Sequence, residues 1–206
     1  MAEARDRKGA ERRAAIMEAA IEVFADRGFH GARISDVAEK ASVASGTIYL
    51  YFRNKEELLI SVFEEKMGLL LDGIGNELRG VTDPEERIRR FARWHFLQLR
   101  ENRAAARVLQ IELRLSSRFL TDYRPEKLWA YLNVFGQTVR DGISSGHFRS
   151  DIDPFVGMWA FFGALDEIAM QWVLSRRPDR FVLDDAARQV ADVFIRGLRA
   201  DNPAAA

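Results

Sequence analysis

Residues 34–55 constrain the fold of this chain most strongly, because they predict two short helices joined by a tight connection. The first helix carries small apolar side chains on one face, and an Ala-Ser-Val connection follows it. The second helix is predicted over residues 45–52, where Ile48 and Phe52 are four positions apart and can pack inward together. The residues at the beginning of the second helix are then left facing outward.

These outward residues suit contact with DNA. In a helix-turn-helix, the N-terminal residues of the second helix meet base edges in the major groove. Hydroxyl groups and backbone N–H groups at a helix start suit phosphate oxygens, and a glycine lets the two backbones come close. The candidate DNA contacts on this helix are Ser45, Gly46, Thr47, Tyr49, Leu50 and Tyr51. An ordinary antiparallel helix pair with surface tyrosines is the alternative interpretation.

Lys55 lies in the first turn of the next helix, which Asn54 and Glu57 begin with a capping-box pattern. A cation at that position opposes the helix dipole. We therefore expect Lys55 to bind an external anion rather than to stabilise its own surroundings. Residues 27–55 contain five basic and two acidic residues, although the net charge of the whole chain is zero. This local excess of positive charge suits a small DNA-binding surface.

The segment GTIYLYFRNKEELL, preceded by ISDVAEKASV and by IMEAAIEVFADRGF, resembles the TetR class of bacterial one-component regulators over residues 10–63. The resemblance implies an all-α fold with an N-terminal three-helix helix-turn-helix domain, expected over residues 1–55. It also implies a C-terminal helical ligand-binding and dimerisation domain, expected over residues 56–206. The expected partner is a double-stranded DNA operator.

The resemblance also implies roles for individual residues. By analogy with that class, Thr47 and Tyr49 contact phosphates or base edges, and Lys55 contacts a phosphate. Ser45 and Leu50 fall where the class varies and sets its operator preference. A lysine is common at the position of Ser45, so base recognition by this chain is expected to differ.

One departure from the class lies just before the helix pair. Many members have Thr-Thr where this chain has Ala32-Arg33, so the usual hydroxyl cap is absent. We expect Asp36 to satisfy the helix start instead, and Arg33 to reach a DNA phosphate.

Helical patterns cover the rest of the chain. A charged arm over residues 1–8 is expected to precede a first helix at 9–27, which Gly28 ends in a left-handed conformation. The helix that begins at Lys55 either continues to about residue 79 or ends near Gly73, because its glycines weaken it. The later helices are predicted at 83–100, 102–116, 125–142 or 125–146, 153–175 and 183–198.

The helix containing residues 156–165 is apolar on every face, so it needs a burial partner on more than one side. The last helix, 183–198, carries an apolar stripe with charged residues on its other faces. Two such helices from each subunit would form a four-helix interface. We therefore predict a homodimer, with plain core packing as the alternative.

Several classes of protein are excluded by residues that the sequence lacks. It has no cysteine, which excludes disulfides and thiolate metal sites. No apolar run is long enough to span a membrane, and no signal-peptide core follows the charged N-terminus. The three histidines are scattered, and no hydrolase, zinc-protease or phosphate-loop motif occurs. We expect a cytoplasmic protein that is not an enzyme, with no membrane association, metal or cofactor.

A second resemblance covers residues 101–175 in part. The segments RENRAAARVLQIELRLSS, GHFRSDID and GALDEIAMQWVLS resemble the acyl-CoA-responsive repressors of fatty-acid degradation (the FadR type of the TetR class). The resemblance implies a repressor released from DNA by long-chain acyl-CoA, whose chain would need an apolar tunnel. Candidate ligand-binding residues are Trp94, His95, Leu109, Glu112, Leu113, Trp129, Phe162, Leu165 and Asp166. Candidate cations for the CoA phosphates are Arg103, Arg107, Arg114 and Arg118.

Two of these candidates, Glu112 and Asp166, are carboxylates within apolar faces. A buried carboxylate is costly unless it is paired. Each should therefore have an arginine, histidine or hydroxyl partner, or border solvent or ligand. A TetR-type regulator of an efflux system, with the same aromatic residues binding lipophilic drugs, is the alternative function.

Overall fold

The computed structural model describes residues 2–113, 123–177 and 182–200, which form nine α-helices and one π-helical turn. The helices are α1 (Ala2–Arg27), α2 (Ile34–Lys40), α3 (Ser45–Tyr49), α4 (Lys55–Glu77), α5 (Pro84–Glu101), α6 (Arg103–Arg107), the π-helical turn (Val108–Glu112), α7 (Glu126–Ser144), α8 (Pro154–Leu174) and α9 (Leu183–Leu198). Extended pairing within these residues is limited to one isolated bridge between Phe148 and Arg199. The predicted all-α class is confirmed. None of the described helices is long and apolar enough to cross a membrane.

The predicted starts of α5 and α8 are confirmed by their caps. The carboxylate of Asp83 accepts hydrogen bonds from the backbone N–H groups of Glu85 and Glu86, at 3.3 and 3.2 Å. Asp153 accepts one from Phe155 at 2.8 Å. In both helices a proline follows the cap at the first helical position, where no intrahelical N–H is needed.

Two predicted boundaries near the N-terminus are wrong. The charged arm is part of α1, because its residues are good helix formers and Arg7 pairs with Glu11 one turn later. The helix predicted over 45–52 ends at Tyr49, with Leu50 as its C-cap. The chain then leaves the helix and still buries Phe52.

The helix predicted over 102–116 is interrupted. Residues 103–107 are α-helical, but Val108–Glu112 is a π-helical turn. In a π-helix each hydrogen bond spans five residues instead of four. This changes the direction in which the following side chains point, and the turn ends with Glu112 buried. Residues 114–116 of the predicted helix lie outside the described residues.

Helix α4 is continuous through its glycines, which settles the choice between the two predicted endings. Gly73 is needed for packing: a Cβ atom there would lie 2.0 Å from Cζ2 of Trp94. The indole N–H of Trp94 donates to the carbonyl oxygen of Leu70, at 3.3 Å. The glycine that weakens the helix is therefore the one that admits the indole ring.

The chain divides into two compact units, each made of two segments. The first unit comprises residues 1–66 and 103–124, and the second comprises residues 67–102 and 125–206. The predicted functional boundary between residues 55 and 56 stays a prediction.

Each unit has its own apolar core. In the first unit, one face of α1 is buried, with Ile16, Ala20 and Phe24 fully enclosed. In the second unit, the rings of Phe135 and Phe161 stack with their centroids 3.9 Å apart. These two rings join α7 to α8, and α9 packs along α5.

We predict that Gly73→Ala lowers the free energy of unfolding by roughly 1–3 kcal/mol, because the added methyl group would force the Trp94 ring to move. Gly75→Ala is the matched control on the same helix, since its added Cβ meets no atom within 4 Å. It should stabilise the protein by up to about 1 kcal/mol through its higher helix propensity. Urea unfolding followed by circular dichroism measures both. A stabilising effect of Gly73→Ala would contradict the Trp94 packing.

Candidate nucleic-acid interface and effector site

The side chains of α3 and of the three residues after it are divided largely as the sequence predicts. Ile48 and Phe52 are buried, whereas Ser45 and Gly46 are exposed at the helix start. Thr47 and Tyr51 are half-buried. Tyr49 and Leu50 project into solvent, with 55% and 82% of their surfaces exposed. Their exposure leaves a phenol hydroxyl and an aliphatic side chain accessible, and an apolar side chain of this kind suits contact with a thymine methyl group.

The turn between α2 and α3 depends on a residue that sequence reasoning did not single out. Ser42 has a φ of 53°, which is uncommon for a residue other than glycine. The next backbone N–H, that of Val43, donates to the carbonyl oxygen of Ala38 at 2.9 Å. This left-handed residue reverses the chain and so sets the direction in which α3 begins.

Asp36 satisfies the start of α2, as predicted. One carboxylate oxygen accepts the backbone N–H of Arg33 at 2.9 Å, and the other lies 2.8 Å from the guanidinium of Arg27. The hydrogen bond from Arg33 and the charge of Arg27 hold the pKa of Asp36 below its ordinary value. The side chain of Arg33 is left exposed to solvent, so its predicted contact with phosphate stays open.

The start of α4 confirms the predicted capping box. Oδ1 of Asn54 accepts the backbone N–H of Glu57 at 2.8 Å. The carboxylate of Glu57 accepts the backbone N–H of Arg53, also at 2.8 Å. These two hydrogen bonds therefore fix the first turn of α4, which contains Lys55.

Lys55 requires a correction. Its ammonium group donates to the carbonyl oxygens of Phe29 (2.6 Å), Ala32 (3.0 Å) and His30 (3.4 Å), and lies 4.6 Å from the centroid of the Phe29 ring. The expectation that this cation lacks a local role is wrong, because carbonyl groups distant in sequence surround it. Contact of Lys55 with a DNA phosphate stays a prediction.

Glu112 requires a second correction. Its carboxylate is 4% exposed and accepts the backbone N–H of Phe29 at 2.7 Å. Gly28, in the predicted left-handed conformation with φ of 73°, lies beside the same carboxylate. The partner is thus a backbone N–H group rather than the expected side chain, and contact of Glu112 with a ligand stays a prediction. Glu112 fastens the π-helical turn to the end of α1.

The other candidate ligand-binding residues and cations within residues 103–118 lie in the first unit or outside the described residues. Leu113 is buried and Leu109 is half-buried, whereas Arg103 and Arg107 are exposed. Arg114 and Arg118 lie outside the described residues.

In the second unit, α5 and α8 bring three of the candidate ligand-binding residues together, namely His95, Phe162 and Asp166. The rings of His95 and Phe162 meet edge to face with their centroids 6.4 Å apart. Asp166 interacts electrostatically with His95. Leu165 is fully buried in the same unit.

His95 is largely buried, and its Nδ1 lies 3.1 Å from the hydroxyl of Tyr131. Burial lowers the pKa of His95 to about 4, against a smaller opposing effect of Asp166. The imidazole is therefore neutral near pH 7.

Trp94 and Trp129 have different surroundings in the second unit. Trp94 is held against Gly73. Trp129 is 45% exposed and forms an aromatic cluster with Phe155 and Trp159, whose ring centroids lie 6.4 and 5.3 Å from its own. Helix α7 leaves this ring partly open to solvent, and its predicted contact with the ligand stays a prediction.

An apolar groove runs between α8 and α9. Helix α8 buries one apolar face in the core of its own unit. Its opposite face is also apolar and is exposed. Val156 and Val193 are 61% and 68% exposed at the groove. The groove has a volume of about 460 Å³ and is also lined by Gly157, Ala160, Phe194 and Gly197.

Comparison with known proteins places both halves of the chain in one family. Residues 16–62 match the family model described as bacterial regulatory proteins, tetR family. Residues 63–197 match the model described as YsiA-like protein, C-terminal region. The fatty acid metabolism regulator protein of Bacillus subtilis (strain 168) is 34% identical over 183 residues, which cover 89% of this chain and 93% of that protein.

Two solved structures share the whole fold. The fatty acid degradation regulator FadR from Bacillus halodurans has a TM-score of 0.83 and 37% identity, covering 92% of this chain and 97% of that one. FadR from Bacillus subtilis, solved in complex with stearoyl-CoA, has a TM-score of 0.83 and 33% identity, covering 90% and 99%.

We predict that Lys55→Met destabilises the protein in the absence of DNA by roughly 1.5–3 kcal/mol, because it removes hydrogen bonds from a charged donor to backbone carbonyls. Lys40→Met is the matched control: Lys40 forms an exposed ion pair with Glu22, which contributes at most about 1 kcal/mol. Urea unfolding of both variants measures the difference. Equal stabilities would show that the carbonyl contacts of Lys55 contribute nothing.

Proposed function

This chain belongs to the TetR family of bacterial regulatory proteins, and from that premise we propose that it is a repressor of fatty-acid degradation. It binds a pseudo-palindromic operator as a homodimer and is released by a long-chain acyl-CoA. The observation that carries the effector is the relative of the same fold, 33% identical over nearly its whole length, whose structure was solved with stearoyl-CoA. A protein with this role works in the cytoplasm, where its operator lies.

The DNA-binding part of the proposal rests on the surface of α3. The exposed residues of α3 and its C-cap present the hydroxyl groups of Ser45 and Tyr49, the backbone of Gly46 and the apolar side chain of Leu50, which suit contact with DNA. Arg33 lies exposed before α2, where a guanidinium suits a phosphate oxygen. The contacts we propose are Arg33, Ser45, Gly46, Thr47, Tyr49, Leu50, Tyr51 and Lys55.

The homodimer rests on the apolar groove between α8 and α9. An exposed apolar surface of this kind is unusual on a monomer and marks an interaction site. A second copy of the same two helices would cover Val156 and Val193 through a two-fold axis. The two recognition helices of the dimer would then bind two half-sites that lie about one helical turn of DNA apart, roughly 34–36 Å.

The effector part rests on the apolar surroundings of His95, Phe162 and Leu165. An acyl chain gains about 0.8 kcal/mol for each methylene that it buries. Affinity should therefore rise with chain length until the available space is filled. The effector releases DNA by binding the conformation that does not match the operator more tightly than the one that does.

The proposed function is tested by release of DNA. DNA that binds the protein is first selected from a random-sequence pool, and its complex is then followed by fluorescence anisotropy. Palmitoyl-CoA and stearoyl-CoA should release the DNA, whereas CoA alone and tetraphenylphosphonium should not. Release by tetraphenylphosphonium alone would favour the efflux regulator, since the exposed aromatic cluster around Trp129 suits a lipophilic cation. Release by none of them overturns the proposed effector.

We predict that Tyr49→Phe weakens binding to the selected DNA about fivefold, the effect of one lost hydrogen bond of about 1 kcal/mol. Arg33→Ala should lower the slope of log affinity against log salt by about 0.9 for each subunit contact. Arg79→Ala is the charge-matched control outside this surface, and it should leave the slope unchanged. An unchanged affinity in both Tyr49→Phe and Arg33→Ala would mean that the DNA surface is misassigned.

We predict that Val156→Glu converts the dimer to a monomer, because it places a charge in the apolar groove. Leu69→Glu is the control, since Leu69 is similarly exposed (59%) but lies on α4. Sedimentation equilibrium should give half the native mass for Val156→Glu and the native mass for Leu69→Glu. A native protein that is monomeric with and without DNA would refute the dimer.

A further inference from the structure

One ring nitrogen of His95 lacks a partner in the core of the second unit. The side chain is only 7% exposed, and its Nδ1 lies within hydrogen-bonding distance of the Tyr131 hydroxyl. Within the part of the chain that the structure describes, Nε2 has no hydrogen-bond partner. An unpaired polar group that is buried so deeply costs folding free energy, and in native proteins it calls for an explanation.

The hydrogen bond to Tyr131 determines which nitrogen carries the proton. Burial raises the pKa of the Tyr131 phenol above its ordinary value, so the hydroxyl keeps its hydrogen. If this O–H donates to Nδ1, the neutral imidazole carries its own hydrogen on Nε2. The opposite tautomer would leave both the phenol hydrogen and the Nε2 lone pair without partners. Nε2 is therefore assigned as an unpaired N–H donor.

The surroundings of His95 limit what this donor can bind. Aromatic rings of Phe96 and Phe162 flank the imidazole, with centroids 5.6 and 6.4 Å away. Among these rings, a neutral carbonyl oxygen is an acceptor with a much smaller desolvation cost than a charged group. A carboxylate would be desolvated among these rings and repelled by the nearby negative charge of Asp166.

We propose that the Nε2–H group of His95 donates a hydrogen bond to the thioester carbonyl oxygen of the bound acyl-CoA. This inference rests on the proposed function and assigns one residue the selection of esterified acyl groups over free fatty acids. His95 contacts the effector in this account, whereas Tyr131 is a positioning residue that fixes the tautomer.

The test compares two ligands that differ only in the carbonyl group. Palmitoyl-CoA carries the thioester, and S-hexadecyl-CoA is a thioether with the same chain and no carbonyl oxygen. Isothermal titration calorimetry of the whole protein should give about tenfold tighter binding of the thioester, as expected for one hydrogen bond in a buried site. Equal affinities would overturn the inference while the proposed function stands. Binding of neither ligand would overturn the proposed function itself.

Variants of His95 and Tyr131 test whether the preference for the thioester over the thioether depends on His95. His95→Phe should bind both ligands equally, whereas His95→Gln keeps an N–H donor and should retain part of the preference. Tyr131→Phe should reduce the preference, because the proton is no longer held on Nε2. A thioester preference that is unchanged in His95→Phe would overturn the assignment.

A measurement on the unsubstituted protein covers the case in which His95→Phe does not fold. Palmitoyl-CoA should shift the ¹⁵N resonance of His95 Nε2, and S-hexadecyl-CoA should not. The same shift with both ligands would overturn the hydrogen bond to the carbonyl.

Discussion

The hydrogen bonds around Phe29 position the candidate recognition helix, and the first unit depends on them. The carbonyl oxygen of Phe29 accepts a hydrogen bond from Lys55 at the start of α4, and the backbone N–H group of Phe29 donates one to Glu112 in the π-helical turn. Its ring also lies beneath the Lys55 ammonium. One peptide segment after α1 is thereby fastened to two other elements of the unit. Because α2 and α3 follow directly, their placement relative to α1 depends on these contacts.

The features that were predicted correctly from the sequence depend on neighbouring residues. Asp83 and Asp153 cap helices within three positions of themselves, and a proline beside each marks the start. Asp36 likewise reaches a backbone N–H group three positions away. Ile48 and Phe52 are four positions apart and both are buried, although α3 ends at Tyr49. The all-α class and most helix boundaries could be predicted because such local signals are strong and repeated.

The features that the sequence did not reveal depend on distant partners. Lys55 finds its carbonyl groups 23–26 positions earlier, and Glu112 finds Phe29 83 positions earlier. The periodicity of a sequence carries no information about partners so far apart. Lys55 was therefore interpreted as an anion contact alone, and Glu112 was expected to pair with a side chain or to border solvent or ligand. Trp129 shows the same difficulty, since its apolar ring predicts burial but its position on α7 exposes it. The sequence identified His95 as a candidate, but only the structure shows which of its nitrogens lacks a partner.

The division of each unit into two segments has a consequence for synthesis of the chain. During translation, domains generally fold as units in the order in which they leave the ribosome. Here residues 67–102 of the second unit emerge before residues 103–124, which the first unit still needs. The backbone N–H group of Phe29, two residues after α1, therefore has no Glu112 carboxylate to donate to until residues 103–124 have been synthesised. A nascent chain that stalls before this point carries the whole candidate recognition helix but lacks one of the contacts that position it.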